Sequence, residues 1–320
     1  MTRLALIATI LMVATGCDKA KDLAGRQGQT AAVEPPASER FALARKPDVL
    51  FQVFGERDDP RMIPIAAVEG GTLKTIALGS AGWRSFDSLY TRAGASYTVY
   101  RDGRAAGTVT VRRGMWDTPD APIYSLPRCQ LLIPLAAVTV AGVDNSGYTV
   151  EFLASSATFA SRPPGKAMDR NAAIASGKTV AYAVGKTAGL ERARLDSLDF
   201  YGVAIQTGAT ADPTLIASFI DPGAGDEKDA ESRSAHVFVI ADRKGAEYQP
   251  TFTQSVNGAT SSAAFRRYID HLDINGDGVD EIIVEGWQYG GDTQLIALAY
   301  RGGRWEEVFR GPPSWCLDPK

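Results

Sequence analysis

From residue 47 onward, apolar residues recur at every second position over most of the chain, and this alternation predicts a protein built mainly from β-strands. Residues 49–54, 62–68 and 73–78 read as strands, punctuated by Gly70-Gly71 and Gly79. Trp83, Phe86, Leu89 and Tyr90 break the alternation with helical spacing and predict one short helix. Residues 96–101 and 107–112 then flank Asp102-Gly103, a pair that supplies the positive φ a tight hairpin turn needs. Residues 131–140 and 148–153 complete a β-rich unit over 47–160. The Pro-, Gly- and Ala-rich stretch at 161–179 reads as a linker. Alternation resumes in a second unit, 180–312, at 180–184, 215–220, 236–241, 282–284, 295–300 and 305–309. Within it, 222–234 is charged and reads as a surface loop, and 313–320 is a tail. The expected class is all-β and mainly antiparallel, in two β-rich units with at most one or two short helices.

The second unit carries an internal repeat. Residues 194–199 parallel 268–273, 215–218 parallel 282–285, 236–241 parallel 294–299, and 244–248 parallel 301–305. Each copy reads as a polar loop, two strands, a Gly turn and a final strand with an aromatic residue. Repetition on this scale marks propeller-blade-like units, although two cannot close a propeller.

The N-terminus has a different character. Thr2-Arg3 is a short basic segment, 4–13 is an apolar run, and Ala14-Thr15-Gly16 precedes Cys17. The run is too short to span a bilayer, which takes about 20 apolar residues, and it suits a secretory signal. The position of Cys17 resembles the lipobox of bacterial lipoproteins. The resemblance implies removal of 1–16 and a diacylglycerol on Cys17. The chain would then sit at the bacterial cell envelope, held to the bilayer by its acyl anchor. Residues 17–46, with Pro35-Pro36 and little apolar periodicity, would be the tether. Two cysteines remain, Cys129 and Cys316, and in an oxidising compartment such a pair is expected to form a disulfide. The net charge of −3 and the lack of a basic stripe argue against nucleic acid as a partner.

One stretch carries specific chemistry. Over 273–281, Asp273, Asn275, Asp277 and Glu281 place oxygen-bearing side chains at loop positions 1, 3, 5 and 9. The carbonyl of Val279 can add another ligand, and Gly276 and Gly278 permit a sharp turn. Hard oxygen ligands in a flexible loop suit calcium better than magnesium or zinc. An EF-hand would need a Glu at position 12, where this chain has Val284. The loop is instead similar to the calcium loop of FG-GAP and VCBS-like repeats. That resemblance covers 267–300 and implies one structural calcium. The following segment presents Trp287 and Tyr289 as a possible contact surface, although aromatics packed on a sheet are the commoner case.

Other chemistry is weakly signalled. Residues 172–179 fit a relaxed phosphate-loop pattern, but Ala172 stands where the first Gly belongs. With only His236 and His271 in the chain and no Cys-x-x-Cys, a zinc-type site is not expected, and packing or capping is the expected role of both histidines. The expected function is a non-catalytic binding or scaffold module, meeting an unknown protein or glycan partner at the envelope. The alternative is an envelope hydrolase, or its accessory subunit, with unidentified carboxylate catalysts.

Overall fold

The computed structural model describes residues 46–78, 80–115, 135–144, 146–162, 165–221, 232–288 and 293–311. All lie within one compact unit, Pro35–Lys320. The lipobox with Cys17, the tether, and the Cys129–Cys316 pairing lie outside the described residues.

The fold is mostly antiparallel β-structure. Seven strands form the first sheet: β1 (Asp48–Glu56), β2 (Asp59–Glu69), β3 (Thr72–Lys74), β4 (Ser96–Arg101), β5 (Arg104–Arg113), β6 (Ala136–Ala141) and β7 (Thr149–Ser155). Their order is β1-β7-β4-β5-β6-β2-β3, and β1 also pairs with β2, so six strands close into a barrel. The hairpin over Asp102-Gly103 forms as expected, with φ of 51° and 71° at its two turn residues. Helix α1 (Ser80–Phe86) runs into a π-helical turn, Asp87–Thr91. Its Trp83, Phe86 and Tyr90 join Phe51, Met62 and Phe152 in the barrel core.

Two further sheets are four-stranded meanders. One contains β8 (Asp199–Ile205), β9 (Thr214–Ile220), β10 (Arg233–Lys244) and β11 (Glu247–Ala259). The other contains β12 (Ala264–Leu272), β13 (Glu281–Gln288), β14 (Thr293–Arg301) and β15 (Arg304–Arg310). Alternate side chains send each sheet's two faces into different cores. From β13 and β14, Ile283, Leu295 and Ala297 pack on Leu50, Tyr100 and Leu153 of the barrel exterior. Their neighbours Ile282, Val284, Ile296 and Leu298 pack on Ile216, Phe238 and Ile240 of β9 and β10. The opposite face of β9 and β10 (Leu215, Phe219, Val237, Val239) meets helix α2 (Arg170–Thr187). The layers therefore run barrel, β12–β15, β8–β11, helix.

Helix α2 is the main departure from expectation. Residues 180–184 were expected to form a strand and 161–179 a linker, but Val180 to Val184 and residues 170–179 are helical. Val180, Tyr182 and Val184 alternate by coincidence of a small-residue pattern. The residues that face the sheet are Ala173, Gly177, Val180, Ala181 and Gly185, spaced three to four apart. Asp169 caps the helix, accepting the N–H groups of Asn171 (2.9 Å) and Ala172 (3.1 Å). Residues 172–179 thus lie inside a helix, and the formal phosphate-loop pattern has no loop there. A short helix α3 (Arg192–Asp196) follows. No helix among the described residues is long and apolar enough to cross a membrane.

Candidate metal loop

The acidic stretch 273–280 joins β12 to β13 and ends on Glu281, the first residue of β13. Two apolar residues fix its course. Ile274 sinks into the core shared with the barrel, and Val279 packs half-buried against the core between the two meanders. Gly276 and Gly278 take φ of 75° and 88°, which lets the chain coil between these anchors.

The coil is held by its own acidic side chains. Asp273 Oδ1 accepts the Gly276 N–H at 2.8 Å and Oδ2 accepts that of Gly278 at 3.1 Å. Asn275 Oδ1 accepts from Asp277 N, and Asp277 Oδ1 from Val279 N, each at 2.7 Å. These successive Asx turns give the alternate positions a common handedness. Glu281 folds back from the strand, its Oε2 accepting the Ile274 N–H at 2.9 Å. The Asn275 side-chain amide then donates to both Glu281 Oε1 (2.7 Å) and Asp277 Oδ2 (3.1 Å). Two carboxylates thereby converge on a single donor group. Asp273 and Glu281 are buried, while Asn275 and Asp277 are exposed, so the loop has one open side. Burial, then the charges of Asp277 and Asp273, push the Glu281 carboxyl up to about 7 against the pull of the Ile274 N–H.

The loop leans on the barrel. A Cβ at Gly71, in the β2–β3 turn, would stand 2.8 Å from Asn275 Cα. On the inner side, buried Asp280 is held from two directions. His271 Nδ1 lies 2.6 Å from its Oδ2, and Arg162 Nη2 donates to its Oδ1 at 2.9 Å. Arg162 also donates to the Gly278 carbonyl at 2.5 Å. Neither Arg162 nor Asp280 stands out in the sequence. Arg162 comes from a segment read as linker, and Asp280 sits between the positions whose spacing signals ligands.

The repeat pairs β9 with β13 and β10 with β14 as the sequence alignment does. Its first pairing differs. Asp199 opens β8, whereas Asp273 follows β12, so the counterpart of the acidic loop is 206–213, whose acid is Asp212. His236 is structural. Its Nδ1 donates to the Phe219 carbonyl (2.9 Å), and its Nε2 accepts the Arg266 N–H (3.0 Å) from the neighbouring sheet. Trp287 stacks on Phe265 with centroids 5.4 Å apart, the sheet-packing role. Tyr289 lies outside the described residues. Compared with known proteins, the chain matches no family model, no curated protein and no solved structure.

Proposed function

We propose that the protein is an envelope lipoprotein, held to the bilayer through Cys17, whose folded body is a non-catalytic binding or scaffold module stiffened by one calcium ion. The observation that carries this reading is the acidic loop. Asp273, Asn275, Asp277 and Glu281 bring three carboxylates and an amide to one coil, and a single amide group bridges two of those carboxylates. The donors fit a hard cation, being all oxygen with one side open for water. Asp273 and Glu281 would hold the ion from the buried side, and Asn275, Asp277 and the Val279 carbonyl from the exposed side. Bound calcium would neutralise the crowded carboxylates and lock the β12–β13 connection against the barrel.

Thermal melting of the full chain, with calcium and with chelator, tests the reading. Calcium at about 100 times Kd adds roughly 2.7 kcal/mol to stability, which raises Tm by several degrees. Asp277→Ala, an exposed loop substitution, removes most of that rise. Superimposable melts with and without calcium would reduce the loop to a self-bonded turn.

A further inference from the structure

A second group of ligand-type side chains lies on the inner side of the β12 strand, away from the open side of the acidic loop. Asp102, Asp270 and His271 each place one ligand atom within 4.8 Å of the other two. They come from distant parts of the chain. Asp102 is in the barrel's β4–β5 turn, and its N–H donates to Asp270 Oδ1 at 3.0 Å across a separation of 168 residues. The turn is fitted closely to its partners. A Cβ at Gly103 would come within 2.6 Å of Asp280 Oδ2 and 3.0 Å of the His271 ring.

We propose that Asp102, Asp270 and His271, with the Tyr268 hydroxyl beside them, form a site for a divalent transition-metal ion of the zinc class. Two observations support it, neither of which uses the loop's ligand positions. First, the imidazole is oriented as a ligand is. Asp280 holds Nδ1 at 2.6 Å and is itself held by Arg162, which leaves Nε2 as the ring atom able to ligate. A carboxylate behind a ligating histidine is the usual support of a metal site. Second, the Tyr268 hydroxyl is buried with no hydrogen-bond partner among the described residues, and its ring stacks on His271 at 6.5 Å between centroids. A buried hydroxyl without a partner calls for one, and an ion bound at this cluster would supply it.

The donor set selects the ion. An imidazole nitrogen with two carboxylates favours zinc and its first-row neighbours over calcium, which prefers oxygen throughout. Asp102 is exposed, so water can complete the coordination shell.

The test uses the full chain carrying Asp277→Ala, so that the acidic loop's fate does not enter. After chelator treatment, titration calorimetry with zinc should show one tight equivalent. Cobalt should give visible d–d absorption from a nitrogen-containing site. Asp102→Asn keeps the turn's left-handed backbone and removes one charged ligand, and it should weaken zinc at least tenfold. His271→Gln should abolish the cobalt spectrum. Absence of stoichiometric zinc binding, or an unchanged affinity in Asp102→Asn, overturns the proposal even if His271→Gln fails to fold.

Discussion

At the scale of single residues, the interior is organised by buried polar groups that tie sheets to one another. Asp242 accepts the hydroxyls of Thr214 and Thr251, each at 2.6 Å, and the Trp305 indole N–H at 2.8 Å, which joins the two meanders through one carboxylate. Arg267 joins β12 to the barrel, meeting both oxygens of Glu151 at 2.6 and 2.7 Å and Glu285 at 2.5 Å. His236 makes a third tie, and its titration bears on stability. Burial lowers its pKa to about 4, with the Phe219 hydrogen bond opposing and the Arg266 charge adding. A folded-state pKa below the unfolded value means the neutral ring stabilises the fold fully above pH 6.5. That contribution is lost as the pH falls toward 4, about 3 kcal/mol in all. Asp270 and Glu281, whose carboxyls burial raises to about 7, act with the opposite sign over the same range but equally in both proteins. The difference in urea stability between wild type and His236→Gln, largest at pH 7.5, should therefore shrink as the pH falls to 4.5. Equal slopes would assign the acid sensitivity to the carboxylates instead.

At the scale of elements, most strands were legible in the period-two alternation. The β4–β5 hairpin was readable to within a few residues because Asp102-Gly103 fixes its turn and register. β9, β10, β13 and β14 were legible as period-two runs, and the structure sends their alternate residues into two different cores, so both sets are apolar. β11 escaped notice because it is Thr-, Gln- and Ser-rich and mostly exposed. Helix α2 was hidden by its contact residues, which apart from Val180 are Ala and Gly and carry little hydrophobic signal. That smallness is needed for the close approach. A Cβ at Gly185 would stand 2.7 Å from Leu195 Cδ1, and one at Gly177 3.1 Å from the Ala217 Cβ. Glycine to alanine inside a helix ordinarily gains close to 1 kcal/mol. Gly185→Ala should reverse that sign and cost roughly 1–2 kcal/mol by overpacking against buried Leu195, measured as a lower urea midpoint. A stabilised variant would show that α3 yields without cost. The acidic stretch was legible as a loop between two strands, since its residue spacing is local, whereas the buried role of Asp280 within it was not. The Asp102–Asp270–His271 group was not, because its members are united by the stacking of the barrel turn on β12 and by nothing in the sequence around them.

At the scale of the whole molecule, the layers are joined as firmly as they are filled. The barrel has no free edge among its six closing strands, and Leu50, Tyr100 and Leu153 on its exterior are covered by β12–β15. The middle sheet is buried on both faces, so both candidate cation sites, which border it, lie where the barrel and the meanders meet.

The order of layers in space also differs from their order along the chain. The barrel is complete by residue 155, the helix and β8–β11 by residue 259, and the sheet that lies between them comes last. During synthesis, Leu50, Tyr100 and Leu153 on one side, and Ile216, Phe238 and Ile240 on the other, must wait for a common partner. Translation delivers the N-terminal parts first, so assembly of the centre falls to residues 264–310. A chain ending at residue 263 should therefore accumulate with two uncovered oily faces, bind a hydrophobic dye strongly and aggregate, where the full chain does neither. Residues 264–310 are the keystone of the fold, and the facing surfaces of the barrel and of β8–β11 stay uncovered until those residues arrive.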